Sequence, residues 1–135
     1  IAVEINPDAV WYAEENIRIN KLSHKIISIL GDVRDACKRW YGKCDRVIMP
    51  LPLGAESFLD IALKCLRAEG IVHFYNWGEG KGKKLFSQAL KKIKAMKDVD
   101  YKIIGKRKVL PYAPGKYKVC IDISVKKKSY GLEEN

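Results

Sequence analysis

Two acids and one proline pair carry the chemistry this chain could do. Glu4 closes an apolar run, Ile1–Ile5, and Asp32 follows a second one, Ile26–Leu30. Both runs read as short strands of a parallel sheet, and open α/β sheets bind ligands beyond the carboxyl ends of their strands. A carboxylate at Glu4 can accept both hydroxyls of a ribose. One at Asp32 suits the exocyclic amine of adenine, which needs a single acceptor in the base plane. Each acid has a plainer reading: Glu4 as an acid stabilised by the next helix N-terminus, Asp32 as the N-cap of the helix that follows. The third feature is Pro50-Leu51-Pro52, directly after Val47-Ile48-Met49. Proline has no N–H for a ladder, so both prolines lie beyond the strand. A stiff loop there can hold backbone carbonyls towards a flat polar ligand. Its plainer reading is a turn that ends a strand.

The elements that must position these residues follow from pattern. Asn6-Pro7-Asp8 predicts a helix start, with Asn as N-cap, Pro at the first helical position and an acid in the first turn. That helix is expected to run to about Asn20, with Val10, Ala13 and Ile17 on one face. A short helix is expected over 33–41, a strand over 46–49, and a helix over 54–68 with Phe58, Leu59, Ala62, Leu63 and Leu66 inward. Ile71–Trp77 is the next strand, Gly78-Glu79-Gly80 a loop, and 83–97 a basic helix. Tyr101–Leu110 and Tyr117–Lys127 then form two strands with no helix between them, joined by a loop over 111–115, so they are antiparallel neighbours. The expected order is β-α-β-α-β-α-β-α-β-β: a Rossmann-like α/β sheet, mostly parallel, finished by an antiparallel hairpin. One domain is expected over 1–128, with a polar tail over 129–135.

Composition narrows the classes. No run of about eighteen apolar residues exists, so no membrane partner is expected. Cys37, Cys44, Cys65 and Cys120 show no C-x-x-C spacing and no nearby His pair, which predicts free thiols in a reducing, cytoplasmic setting and no metal. The net charge of +10 is one-sided: residues 1–80 hold ten Lys/Arg and eleven Asp/Glu, whereas 81–128 hold sixteen Lys/Arg and three Asp. Such an excess attracts polyanions by counterion release, with Lys106, Arg107 and Lys108 as candidate RNA contacts. The competing account is a lysine-rich solvated face. The two acids alone fit S-adenosylmethionine and a nicotinamide cofactor equally, and the final hairpin favours the former.

Glu4-Ile-Asn-Pro-Asp8, Glu15-Asn-Ile-Arg-Ile-Asn20, Gly31-Asp-Val-Arg34, Asp45-Arg-Val-Ile-Met49, Pro52 and Tyr112-Ala-Pro114 together resemble the catalytic domain of the archaeal and eukaryotic tRNA guanine-N1 methyltransferases. The resemblance covers nearly the whole chain. It implies a class I methyltransferase fold, tRNA as substrate at the guanosine 3′ of the anticodon, and S-adenosylmethionine as donor. Glu4 and Ile5 would lie near its ribose and Asp32 and Val33 near its adenine. Leu51, Pro52 and Tyr112 could pack against an extruded target base, although Tyr112 serves equally as a ring capping the core.

Departures from that pattern matter. The family's glycine-rich first strand and loop, its proposed general base and a positioning arginine lie upstream of anything matched here. The chain is therefore expected to be part of a longer one, inactive alone, with strand edges that invite strand exchange or oligomerisation. The family usually has Asn-x-Pro where this chain has Pro50-Leu51-Pro52. That leaves a wyosine-type tricyclic base at the same tRNA position as a second target. A non-catalytic RNA-binding module and a nicotinamide oxidoreductase domain are the remaining alternatives.

Overall fold

Asn6 begins the first helix as its type predicts. Its side-chain oxygen accepts from the Asp8 N–H at 2.9 Å, and Pro7 fills the position that needs no donor. A computed structural model describes residues 1–128, and the expected polar tail at 129–135 lies outside the described residues. The chain divides into two compact units, Ile1–Tyr41 and the residues from Gly42 onward. No helix among the described residues is long and apolar enough to cross a membrane.

In the first unit, β1 (Ala2–Glu4) pairs in parallel with β2 (Ser28–Leu30), and α1 (Pro7–Ile19) connects them. The register sets Glu4 opposite Leu30, and the Gly31 N–H donates to the Glu4 carbonyl at 2.9 Å. Val10 of α1 is buried, with Ala13 and Ile17 half-buried on the same face. The helix expected over 33–41 is α2 (Val33–Ala36) followed by a 3₁₀ turn at Lys38–Trp40. Gly42, with φ of +69°, follows in the left-handed conformation that glycine adopts without steric cost.

The second unit is a four-stranded sheet in the order β3-β4-β6-β5, built from β3 (Cys44–Met49), β4 (Leu66–Glu79), β5 (Val99–Ala113) and β6 (Lys116–Lys127). β3 and β4 are parallel, and β6 runs antiparallel to both β4 and β5. The last strand thus inserts between β4 and β5. One face is covered by α3 (Leu59–Cys65) and α4 (Ser87–Ile93), and the core lies between: Val72 and Phe74 of β4 and Ile121 and Ile123 of β6, with Ala62, Ala89 and Ile93 from the helices. Burial of each such large side chain contributes about 1.5–3 kcal/mol.

Several boundaries differ from expectation. The helix placed at 54–68 is a 3₁₀ turn at Ala55–Phe58, then α3, and the chain becomes strand at Leu66. Leu66 fits a helical stripe, but it leaves the helix to pair with Cys44 and becomes fully buried. The ladder then jumps, so that Arg46 faces Ile71. Gly70 permits this, because a Cβ there would sit 2.8 Å from the Asp45 carbonyl oxygen. The helix placed at 83–97 is a 3₁₀ turn at Gly82–Phe86 followed by α4, with Met96 still packed on the core. Gly78 and Glu79 are strand, paired with Tyr117 and Lys116. The loop at 111–115 shrinks to Pro114 and Gly115, because β5 continues through Pro111 to Ala113. β5 lies at the edge of the sheet and carries bulges, the setting in which a strand tolerates proline.

Candidate functional site

The parallel pairing of β1 with β2 brings Glu4 and Asp32 to the carboxyl ends of neighbouring strands. Glu4 folds back: its Oε1 accepts from the Ile5 and Asn6 N–H groups, both at 2.8 Å. Both donors lie just before α1, and their bonds fix the carboxylate while Oε2 makes no hydrogen bond among the described residues. Asp32 is more committed. Its Oδ1 accepts from the Arg34 backbone N–H at 2.8 Å and from Arg34 Nε at 2.9 Å, and its Oδ2 accepts from Arg34 Nη2. Those bonds hold its carboxyl at a pKa of about 2. Asp32 is the N-cap of α2, so an adenine amine would share it with an exposed arginine. Ile5 is exposed and Val33 half-buried beside these acids in the sequence.

In the second unit, β3 ends on buried Met49, and Pro50-Leu51-Pro52 lies beyond it as expected. Leu51 and Leu53 are exposed, and Gly54 turns the chain with φ of +76°. The three candidate RNA contacts part company on β5. Lys106 is exposed. Lys108 lies with Nζ 4.3 Å from the Tyr117 ring centroid, and Arg107 donates across the sheet to Asp122. Tyr112 is exposed and sits 4.5 Å from the Trp77 ring, centroid to centroid, rather than capping the core. A recess of about 830 Å³ lies between α3, the segment after α4 and the end of β6, lined by Leu63, Met96 and Lys127 and by none of the candidate site residues.

The Arg107–Asp122 pair belongs to a cluster that sequence reasoning missed. On the sheet face opposite α3 and α4, Arg46 Nη1 donates to His73 Nε2 at 3.2 Å, and His73 Nδ1 donates to Asp122 Oδ1 at 2.7 Å. Arginine can only donate, so Nε2 accepts and the imidazole is the neutral Nδ1–H tautomer. Burial, then Arg46, then Arg107 hold the His73 pKa below its usual range. Gly105 stands opposite Asp122, where a Cβ would come 2.7 Å from Oδ2. The Cys120 thiol donates to Asp122 at 3.6 Å, and burial pushes its pKa up. Ligand atoms of His73, Cys120 and Asp122 lie within 4.8 Å of one another. Arg46 already binds His73 and Arg107 already binds Asp122, so the set carries two guanidiniums to one carboxylate and its net positive charge opposes a cation there. The available signal was an acid inside the apolar run Val119–Val125.

A sheet of parallel strands closed by an antiparallel pair, with the last strand inserted, is that of the class I methyltransferases. The sequence profile of the TRM5/TYW2 methyltransferase domain matches residues 1–104, and the chain belongs to that family. It is 40% identical over 127 residues to tRNA (guanine(37)-N(1))-methyltransferase Trm5b of Methanocaldococcus jannaschii, covering 94% of this chain and 34% of the relative. It is 33% identical over 125 residues to tRNA 4-demethylwyosine(37)-methyltransferase Taw21 of Saccharolobus solfataricus, covering 90% and 44%. Its fold matches TYW2 of M. jannaschii, solved with AdoMet, at a TM-score of 0.79 and 32% identity, covering 94% of this chain and 57% of that one. The chain therefore spans about a third of the Trm5b relative.

The cluster has a pH signature. The folded His73 pKa lies below the unfolded value of about 6.5, so on acidification the unfolded chain takes up the proton first. Stability from this group is present above about pH 6.5 and is lost as pH falls through the folded value. The urea midpoint is expected to drop as pH is lowered from about 7 through the His73 titration, and His73→Gln should flatten that drop. An equal drop in the variant would assign it to other groups.

Proposed function

We propose that this chain is the cofactor- and base-binding part of a tRNA methyltransferase that modifies N1 of the guanosine 3′ of the anticodon, with S-adenosylmethionine as donor. Membership of the TRM5/TYW2 methyltransferase domain family carries the reading. Two acids at the ends of adjacent parallel strands support it. We read the methyltransferase domain as the whole of 1–128.

S-adenosylmethionine, when bound, supplies an electrophilic methyl group on a sulfonium. The residues of the first unit fit its nucleoside half: Glu4 keeps Oε2 for a ribose hydroxyl, and Asp32 stays ionised to accept from an amine. Ile5 and Val33 would flank the nucleoside. Pro50-Leu51-Pro52 would hold the extruded base, with the Pro50 and Leu51 carbonyls accepting from its edge and the Leu51 side chain against its face. A loop stiffened by two prolines loses little entropy when it does so. None of these three residues can titrate, so their contribution is orientation, and the N1 proton leaves to a group elsewhere.

A second reading is methylation of the tricyclic 4-demethylwyosine base. It is favoured by Pro50, which offers a carbonyl but no amide where the guanosine enzymes commonly have Asn, and by the similarity to Taw21. Methyl transfer in the full-length protein, compared on tRNA bearing guanosine and on tRNA bearing the tricyclic base, separates the two. Turnover on guanosine alone supports the first reading, and turnover on the tricyclic base alone overturns it.

Glu4→Ala should weaken S-adenosylmethionine binding by about 1.5–3 kcal/mol in calorimetry of the full-length protein, the range for a hydrogen bond to a charged group. Unchanged affinity would remove Glu4 from the site. For the RNA, Lys106→Glu with Lys108→Glu should reduce the dependence of log affinity on log salt by about 0.7–0.9 for each phosphate that is no longer neutralised. Arg107 is left in place because its guanidinium is bound to Asp122. An unmoved slope would make the two lysines a solvated edge.

A further inference from the structure

The end of β4 forms a recess of about 240 Å³ that the loop at 50–52 does not line. Trp77 and Tyr112 make one wall, tilted by 41° to each other. Tyr112 is the extra residue of the bulge between Pro111 and Ala113, the kind of irregularity that re-aims a side chain. Glu79, Gln88 and Lys116 complete the rim. Gly78 makes the recess possible: a Cβ there would lie 2.1 Å from the Leu85 carbonyl oxygen, so the turn before α4 rests on β4 and carries Gln88 to the rim. Among the described residues, the Glu79, Gln88 and Lys116 side chains make no hydrogen bond or ion pair. Their polar groups are available to a ligand.

An aromatic pair beside an unspent carboxylate, amide and ammonium is a platform for an unpaired base. The volume is below the range of about 300–1,000 Å³ typical of drug-sized ligands and suits a single base. Among the bases, guanine alone offers two adjacent donors, N1–H and N2–H, that match both oxygens of a carboxylate. Its O6 and N7 then accept from Lys116 and Gln88. Uracil offers Glu79 a single donor, N3–H, flanked by two carbonyls that the carboxylate repels.

We propose that the Trp77–Tyr112 recess holds one unpaired guanine of the RNA substrate, stacked on the aromatic pair with its Watson–Crick edge on Glu79. This guanine is a neighbour of the methylated base and not that base. Methyl transfer to N1 needs the in-plane lone pair, and here the Glu79 carboxylate occupies that direction. The proposal rests on the tRNA reading above and adds a subsite to it.

The test uses a short oligouridylate with and without one central guanine. Anisotropy of the labelled RNA reads binding. The Trp77 indole N–H resonance, assigned with Trp77→Phe, reads occupancy of the recess. The guanine RNA should bind more tightly and shift that resonance. Tyr112→Ala should weaken it about five- to a hundredfold, and Glu79→Gln should bring guanine and uridine closer to parity. Both side chains are exposed, so the variants should fold. RNA binding that leaves Trp77 unmoved overturns the recess and leaves the tRNA reading standing. Equal shifts with both RNAs overturn the guanine assignment. Failure of both RNAs to bind overturns the recess together with the RNA side of the functional reading.

Discussion

The antiparallel ladder between β4 and β6, from Glu69–Lys126 to Glu79–Lys116, is the constraint to which the second unit is referred. Because strand side chains alternate with a period of two, its register decides both faces at once. It turns Val72, Phe74, Ile121 and Ile123 towards the helices. It also sets His73 directly opposite Asp122 on the other face. A slip of one residue would bury the imidazole and carboxylate among aliphatic side chains and expose the core. The same register carries Asn76 inward, where Oδ1 accepts from the Trp77 N–H but Nδ2 has no partner. An unpaired buried donor costs on the order of 1–3 kcal/mol, so the ladder is strong enough to hold one misfit.

The basic excess is less free than composition suggests. Arg107 is bound to Asp122, Lys92 to Glu56, Lys126 to Glu69 and Lys128 to Asp100. Lys127 donates to the Lys64 and Leu66 carbonyls where α3 gives way to β4. Part of what reads as a polyanion-binding half is therefore occupied in closing the fold. Most of these pairs lie towards the amino ends of β3 and β4. Lys116 and Lys118 face Glu79 and Trp77 at the other end, where such sheets bind ligands, and make no ion pair among the described residues.

Local signals are legible in the sequence and distant ones are not. Asn6-Pro7 and the prolines at 50 and 52 each act within a few residues of themselves, and the structure follows them. The strand ends at Glu4 and Asp32 are readable for the same reason. Leu66 misleads because an apolar residue at the end of a helical stripe is also a good strand residue, and only its pairing with Cys44 decides between them. Pro111 reads as loop because its tolerance depends on β5 being an edge, a property of the assembled sheet. The ionic cluster joins residues 27, 49 and 15 positions apart, and no local pattern encodes such a meeting. The Trp77–Tyr112 recess is hidden from the sequence for the same reason.

The two margins of the four-stranded sheet are not equivalent. β5 is broken by three bulges and studded with Lys102, Lys106 and Lys108, features that twist a margin away from, and charge it against, a passing strand. β3 has an irregularity only near its start, between Cys44 and Arg46, and presents an exposed Ile48 before Pro50 ends it. The defences of the sheet are therefore one-sided: β5 repels a passing strand by its bulges and lysines, and residues 47–49 of β3 carry neither device. Stacking of many sheets side by side needs two receptive margins, so the defended edge alone opposes endless polymerisation.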